Sequence, residues 1–221
     1  MKLPPHSHLV VIGDSVTDCN RARPVGEGNS DALGDGYVSE INALLLAAYP
    51  ARAVRITNMG ISGNTVRDLA ARWETDVLAL KPDWLSVMIG INDVWRHFDA
   101  FRKSEAVPPE EFARTYGILL ARARPRLQGL VLMTPYYLEP LKADPMRRRM
   151  DDFGAIVRQL AAAHDALLVD TQAAFDRILA HHPSTVLSAD RVHPNRMGHM
   201  ILARAFLDAV DYAWAPAAQD R

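Results

Sequence analysis

Short apolar runs alternate with longer stretches of helical periodicity along this chain. The runs are residues 9–12 (LVVI), 53–57 (AVRIT), 84–89 (WLSVMI), 130–133 (LVLM) and 167–169 (LLV), each flanked by turn-forming or polar residues. Their nearly continuous apolar character predicts strands covered on both faces, as in a parallel sheet. Between them, Tyr37, Val38, Ile41, Leu44, Leu45 and Ala48 recur at helical spacing, and Pro50 closes the segment. A second stripe runs through Val66, Leu69, Ala70, Trp73, Val77 and Leu80, with Pro82 beyond it. Met150, Phe153, Val157 and Leu160 form a third, and Met197, Met200, Ile201, Phe206, Leu207 and Val210 the last. Such stripes are core-facing surfaces. Two helix starts are also written in: Pro109 with Glu110 and Glu111, and Asp144 ahead of Pro145. Five βα repeats, with no linker, internal repeat or low-complexity stretch, predict one domain over residues 1–221: an α/β, doubly wound sheet.

Composition narrows the function classes. A chain of 221 residues, 49% hydrophobic and 23% charged, suits a soluble domain with a full core. Its net charge of -1 supplies no field for nucleic acid or an anionic membrane, so neither is expected as a partner. The run Arg147-Arg148-Arg149 is followed by Asp151 and Asp152 and predicts a solvated helix face. No apolar run approaches the ~18–20 residues that cross a bilayer. The N-terminal MKLPPHSH has no apolar leader core, and a lone Cys19 allows no intrachain disulfide. The expectation is a cytoplasmic protein. The pairs His6/His8 and His181/His182 have no metal-binding frame and are expected on the solvated surface, so no metal or cofactor is expected.

In open α/β sheets, ligands bind beyond the carboxyl ends of the strands. The first strand delivers Gly13-Asp14-Ser15 there, the second NMGISGNT (58–65), the third GIND (90–93), and DRVHP (190–194) precedes the last helix. Each alone is an ordinary turn or cap. Together they supply every role in acyl transfer. Ser15 is a nucleophile, His193 a base, and Asp190, three residues earlier, can orient that base. Ser15, Gly63 and Asn92 offer N–H donors for an oxyanion. The G-x-S-x-G nucleophile elbow is absent around Ser15, as is a phosphate-binding glycine motif of a nucleotide binder. The glycine-rich stretch 19–36 follows Ser15 closely and is expected to form a wall of the site. Its polar residues Arg21, Arg23, Glu27 and Asn29 suit a polar substrate. Candidate substrate contacts are Asp14, Arg21, Asn64, Trp95 and Tyr136.

These blocks resemble the SGNH, or GDSL-type, serine hydrolases. The matching residues are Ser15 in GDSVTD, Gly63 in NMGISGNT, Asn92 in GIND and His193 in DRVHP, in that order; Val16 stands where the family usually has leucine. Longer stretches, GDSVTDCNRARP, NMGISGNTVRDLAARW, KPDWLSVMIGINDVWR and LMTPYYLEP among them, are similar to bacterial acetylxylan esterases. The resemblance implies a three-layer, flavodoxin-like fold with a five-stranded parallel sheet and a Ser15–His193–Asp190 triad. It also implies acetylated xylo-oligosaccharides as substrate, a homo-oligomer, and no cofactor. A short-chain carboxylesterase, thioesterase or lysophospholipase using the same triad is the alternative. Exposed-looking Trp95, Phe98, Phe101 and Trp214 are candidates for contacts between copies.

Overall fold

The computed structural model describes residues 1–28 and 30–214. Five parallel strands form one sheet: β1 (His8–Gly13), β2 (Arg55–Asn58), β3 (Trp84–Met88), β4 (Gly129–Met133) and β5 (Leu167–Val169), in the order β2-β1-β3-β4-β5. Leu9 aligns with Ile56 on one side and Trp84 on the other, and Gly13 with Met88, so the strand ends lie level. The order turns back between β1 and β3. That is the switch point at which doubly wound sheets bind ligands.

Alternation along each strand divides the core into two layers. Val10, Ile12, Leu85, Val87, Leu130 and Leu132 pack with α3 (Val66–Trp73), α5 (Pro109–Ala123) and α6 (Pro145–Ala163). On the other face Leu9, Val11, Met88, Val131 and Met133 meet α2 (Tyr37–Ala48), α7 (Thr171–Leu179) and α8 (Arg196–Ala209). Burying both faces explains why the strands read as continuous apolar runs rather than as alternating ones.

Several expectations hold and some need correction. Asp144 caps α6 by accepting from the N–H groups of Met146 and Arg147, with Pro145 in the first turn. The stripe from Val66 to Leu80 is not one α-helix. It passes at Glu74–Leu78 into a π turn, which aligns Trp73 and Leu78, five residues apart, on the core side. Helix α7 lies outside the stripes; Asp170 caps it, and Ala174, Phe175 and Leu179 are its buried apolar residues, beside buried Thr171 and Gln172. Arg147 is not solvated. Its side chain is 2% exposed and clamps Asp151, Asp176 and the Glu139 carbonyl, while Arg148 is exposed as expected. His8 is also buried, bonded through Nε2 to the Thr57 hydroxyl. Among the described residues, no helix is long and apolar enough to cross a membrane, and no cluster of metal-binding side chains occurs.

Candidate active site

Strand β1 ends at Gly13, and helix α1 (Ser15–Asp18) starts at once. A side chain at Gly13 would meet the Met88 carbonyl at 2.4 Å, so only glycine lets the chain turn here against β3. Asp14 caps α1 by accepting the Val16 N–H at 3.0 Å. Ser15 therefore opens the helix at the strand tip, with its hydroxyl donating to His193 Nε2 at 2.9 Å. His193 Nδ1 lies 2.7 Å from Asp190 Oδ2, so the ring proton belongs on Nδ1 and the free Nε2 lone pair faces Ser15.

Asp190 is bonded on both oxygens. Oδ1 accepts from the N–H groups of Val192 and His193 and from the Ser188 hydroxyl, at 2.8 to 2.9 Å. Burial pushes its pKa up, but the His193 ring and these donors outweigh it and hold the carboxyl well below the usual range. The loop is pinned from outside too. Tyr136 donates its hydroxyl to the Val192 carbonyl at 3.0 Å, the Leu138 N–H bonds the Arg191 carbonyl, and Arg191 pairs with Glu139.

Gly63 and Asn92 come to the same place. Together with Ser15, His193 and Trp95 they line an open cleft of about 530 Å³. Gly63 has φ +82°, while a Cβ there would find only Arg96 Nη2, at 3.9 Å. Conformation rather than space demands glycine. Asn92, buried in the short helix α4 (Ile91–Trp95), donates one amide hydrogen to the Asn64 carbonyl at 3.0 Å and has a second to offer. The neighbouring Asp93 accepts the Val66 N–H at 2.9 Å and so fixes the start of α3 against α4. Burial pushes both Asp93 and Asp14 up to about 7.

Of the five candidate substrate contacts, Trp95 alone lines the cleft, its ring centroid 6.1 Å from that of His193. Asp14 is 2% exposed and spent on its cap. Arg21 is buried and bonds the carbonyls of Gly60, Ala22 and Pro24, holding its own loop to the end of β2. The Asn64 side chain accepts from Arg72, and Tyr136 is buried against Phe175. Among the described residues of the stretch 19–36, only Cys19 and Asn20 reach the cleft. Arg23 folds back on Asp18, and Glu27 onto Arg55 and Thr57; Asn29 lies outside the described residues. Cys19 is partly buried, its sulfur 3.2 Å from His199 Nε2. Burial, with Asp18 and Asp35 nearby, pushes the thiol up to about 12. His199 accepts the Tyr37 N–H on Nδ1, and burial lowers it to about 4. A neutral thiol beside a neutral imidazole is no activated nucleophile.

Sequence reasoning missed Arg72. It donates to Asn64 Oδ1, the Met59 carbonyl, Asp76 and the Gly13 carbonyl, tying the ends of β1 and β2 to the Gly63 loop. No motif marks it, because apart from Asp76, four residues on, its partners are the Asn64 amide oxygen and two backbone carbonyls brought together only by the fold. Ser188 was missed as well, although its place two residues before Asp190 is that of a local side-chain cap. Arg96, Asp99 and Arg102, which line the cleft beyond Trp95, were not foreseen either.

A curated acetylxylan esterase from Geobacillus stearothermophilus is 53% identical over 215 residues, 97% of this chain and 98% of that protein. A crystal structure of an acetylxylan esterase from the same organism superposes with a TM-score of 0.96 at 52% identity, covering 98% of this chain and 100% of the other. Solved catalytic mutants of that enzyme are altered at a serine, an aspartate or a histidine. An alpha/beta hydrolase enzyme from the metagenome of Lake Arreo, Spain, matches with a TM-score of 0.94 at 50% identity, over 96% of this chain and 98% of its own. The model of the GDSL-like lipase/acylhydrolase family matches residues 11–201, and the chain belongs to that family.

Proposed function

We propose that the protein is a serine esterase that removes acetyl groups from small acetylated xylo-oligosaccharides through an acyl-enzyme on Ser15. The observation that carries this is the chain of contacts from the Ser15 hydroxyl to His193 and on to Asp190, at 2.9 and 2.7 Å, opening into the cleft that Gly63 and Asn92 also line. A serine hydroxyl needs a base within hydrogen-bond reach. His193 takes the proton as Ser15 Oγ attacks the acetyl carbonyl, and Asp190 holds the ring and stabilises the imidazolium. Charge on the carbonyl oxygen is met by the N–H groups of Ser15 and Gly63 and by the Asn92 amide. Each such donor contributes about 3 kcal/mol in comparable sites. The C–O bond to the sugar breaks, and the sugar oxygen leaves with the proton from His193. Water, deprotonated by the same histidine, then attacks the acetyl carbonyl; the bond to Ser15 Oγ breaks, Ser15 takes the proton back from His193, and acetate leaves.

The saccharide is supported by the acetylxylan esterase relatives and by the lining of the cleft. Asn20, Ser62, Arg96, Asp99 and Arg102 suit a polyhydroxylated alcohol better than a fatty chain. We further infer a homo-oligomer, to which Phe98 and Phe101, 45% and 97% exposed, would contribute apolar contacts. A reducing, intracellular compartment suits the single cysteine. The test is acetate release from acetylated xylo-oligosaccharides, followed by NMR, beside rates on synthetic esters of increasing acyl length. Each methylene that a lipid groove buries adds ~0.8 kcal/mol. Rates that fall beyond acetate support the proposal. Rates that rise through eight carbons, or no acetate from the oligosaccharides, sink it. Light scattering reads the oligomer, and a mass near the 24.5 kDa of one chain counts against it.

A further inference from the structure

We propose that Arg96 is the side chain that grips the alcohol half of the ester, donating from its guanidinium to oxygens of the saccharide beside the acetylated position. This rests on the reading of the substrate as a saccharide ester. Arg96 directly follows α4, four residues beyond Asn92. Its side chain is only 6% exposed, and Nε is fully buried without a hydrogen-bond partner. Among the described residues, none of its guanidinium N–H groups meets an acceptor in hydrogen-bond geometry; its single ion pair runs from that same Nε to Glu105 Oε2, at 3.5 Å. Glu105 is already occupied, for Arg102 takes both its oxygens at 2.6 to 3.0 Å.

Buried donors in proteins are nearly always satisfied, because an unmade bond to a desolvated group is unfavourable. The other buried arginines follow that rule: Arg21 reaches three carbonyls, and Arg147 two carboxylates and a carbonyl. Arg96 breaks it at the one place where acceptors arrive from outside, on the wall of the cleft next to Gly63. A guanidinium presents a planar fork of donors, which matches neighbouring oxygens on a sugar ring. Glu105 and Asp99 balance the charges of Arg96 and Arg102, so the wall favours neutral, oxygen-rich alcohols over anions. Trp95 supplies an apolar ring face beside the same cleft.

The experiment measures kcat and KM for wild type and Arg96→Met on two acetyl esters, an acetylated xylo-oligosaccharide and 4-nitrophenyl acetate. The expected result is a fall of tenfold or more in the ratio of the two kcat/KM values, carried by the saccharide KM. A ratio within twofold of wild type overturns the inference, and so does an equal loss of kcat on both esters. Arg96→Gln carries the same two outcomes if circular dichroism shows Arg96→Met unfolded. Wild type that cleaves 4-nitrophenyl acetate but not the saccharide overturns the substrate reading itself. That outcome is separate from a wild type active on both esters and a ratio that does not move.

Discussion

Arg72 and Arg96 both reach the loop that carries Gly63 and Asn64, and both side chains are largely buried, at 13% and 6% exposure. Their bonding is opposite. Arg72 spends its guanidinium on four oxygens from three parts of the chain, whereas Arg96 is left with a loose ion pair to a shared carboxylate. The wall around each differs in the same way. On the Arg72 side, Asn58 bonds the carbonyls of Thr17 and Leu33, and Asp18 accepts from Arg23 and from Ser62. On the Arg96 side stand Phe98 and Phe101, both exposed, followed in the chain by a short turn at Lys103–Glu105. One wall is closed by its own hydrogen bonds and fixes geometry; the other keeps donors in reserve for something that binds.

The largest effects belong to the Ser15–His193–Asp190 chain of contacts that both walls flank. Changing His193 to Ala should lower kcat about 10⁵-fold on any ester, since Ser15 would lose its proposed base. Asp190→Asn should cost less, about 10⁴-fold, because it disturbs the ring proton and orientation but leaves the imidazole. Both proteins should fold, and side-by-side kinetics on 4-nitrophenyl acetate would expose a reversed order, which would contradict these roles.

Arg72→Met comes next. It removes four donors and leaves the Met59 and Gly13 carbonyls and the Asn64 amide oxygen short of them. The expected loss is about 2–4 kcal/mol of stability in urea unfolding, with kcat falling by one factor on sugar and non-sugar esters alike. A change in preference between esters, with stability intact, would erase the contrast with Arg96.

How far each wall was legible in the sequence follows the same division. The strands were visible because two-sided burial makes them apolar throughout. Ser15, Gly63, Asn92, Asp190 and His193 were visible because turn residues at strand tips have few other reasons to occur together. Arg21, Asn64 and Tyr136 misled: a polar or aromatic side chain near a strand tip looks the same in sequence whether it faces the cleft or a backbone carbonyl. Arg72 and Arg96 could not be told apart at all, since the acceptors that satisfy one and miss the other are set by tertiary packing. The π turn after Trp73 escaped because an apolar pair five apart is rare enough to be read as an irregular α-helix.

A smaller effect is predicted for Asp93, which sits between the two walls and joins α4 to α3. Its carboxyl is raised by burial from the ordinary value near 3.8 to about 7. A raised folded-state pKa means that the native protein holds its proton longer than the unfolded chain. The stabilising contribution is full below the unfolded value and is lost as pH rises toward 7. Asp93→Asn keeps the acceptor for Val66 and carries no charge. Measured against wild type, it should therefore gain on the order of 2 kcal/mol in relative stability between pH 5 and pH 8. Urea unfolding at both pH values checks this, and a relative stability that falls with pH would reverse the sign of the argument.

The smallest effect, and the sharpest for the comparison, is the stability of Arg96→Met. Methionine keeps the unbranched stem and its packing. The substitution breaks no hydrogen bond among the described residues, and Glu105, half exposed, keeps its bidentate partner Arg102. It also frees the fold of a desolvated charge, whose pKa is lowered first by burial and then by the nearby Arg102. These terms offset one another, so the midpoint in urea should shift by less than the equivalent of about 1 kcal/mol in either direction. Arg72→Met, with the same change of side chain at similar burial, should lose several times more. Equal losses would mean that Arg96 is scaffold like Arg72. A near-neutral Arg96→Met beside a destabilised Arg72→Met would leave the Arg96 donors with one use, the substrate.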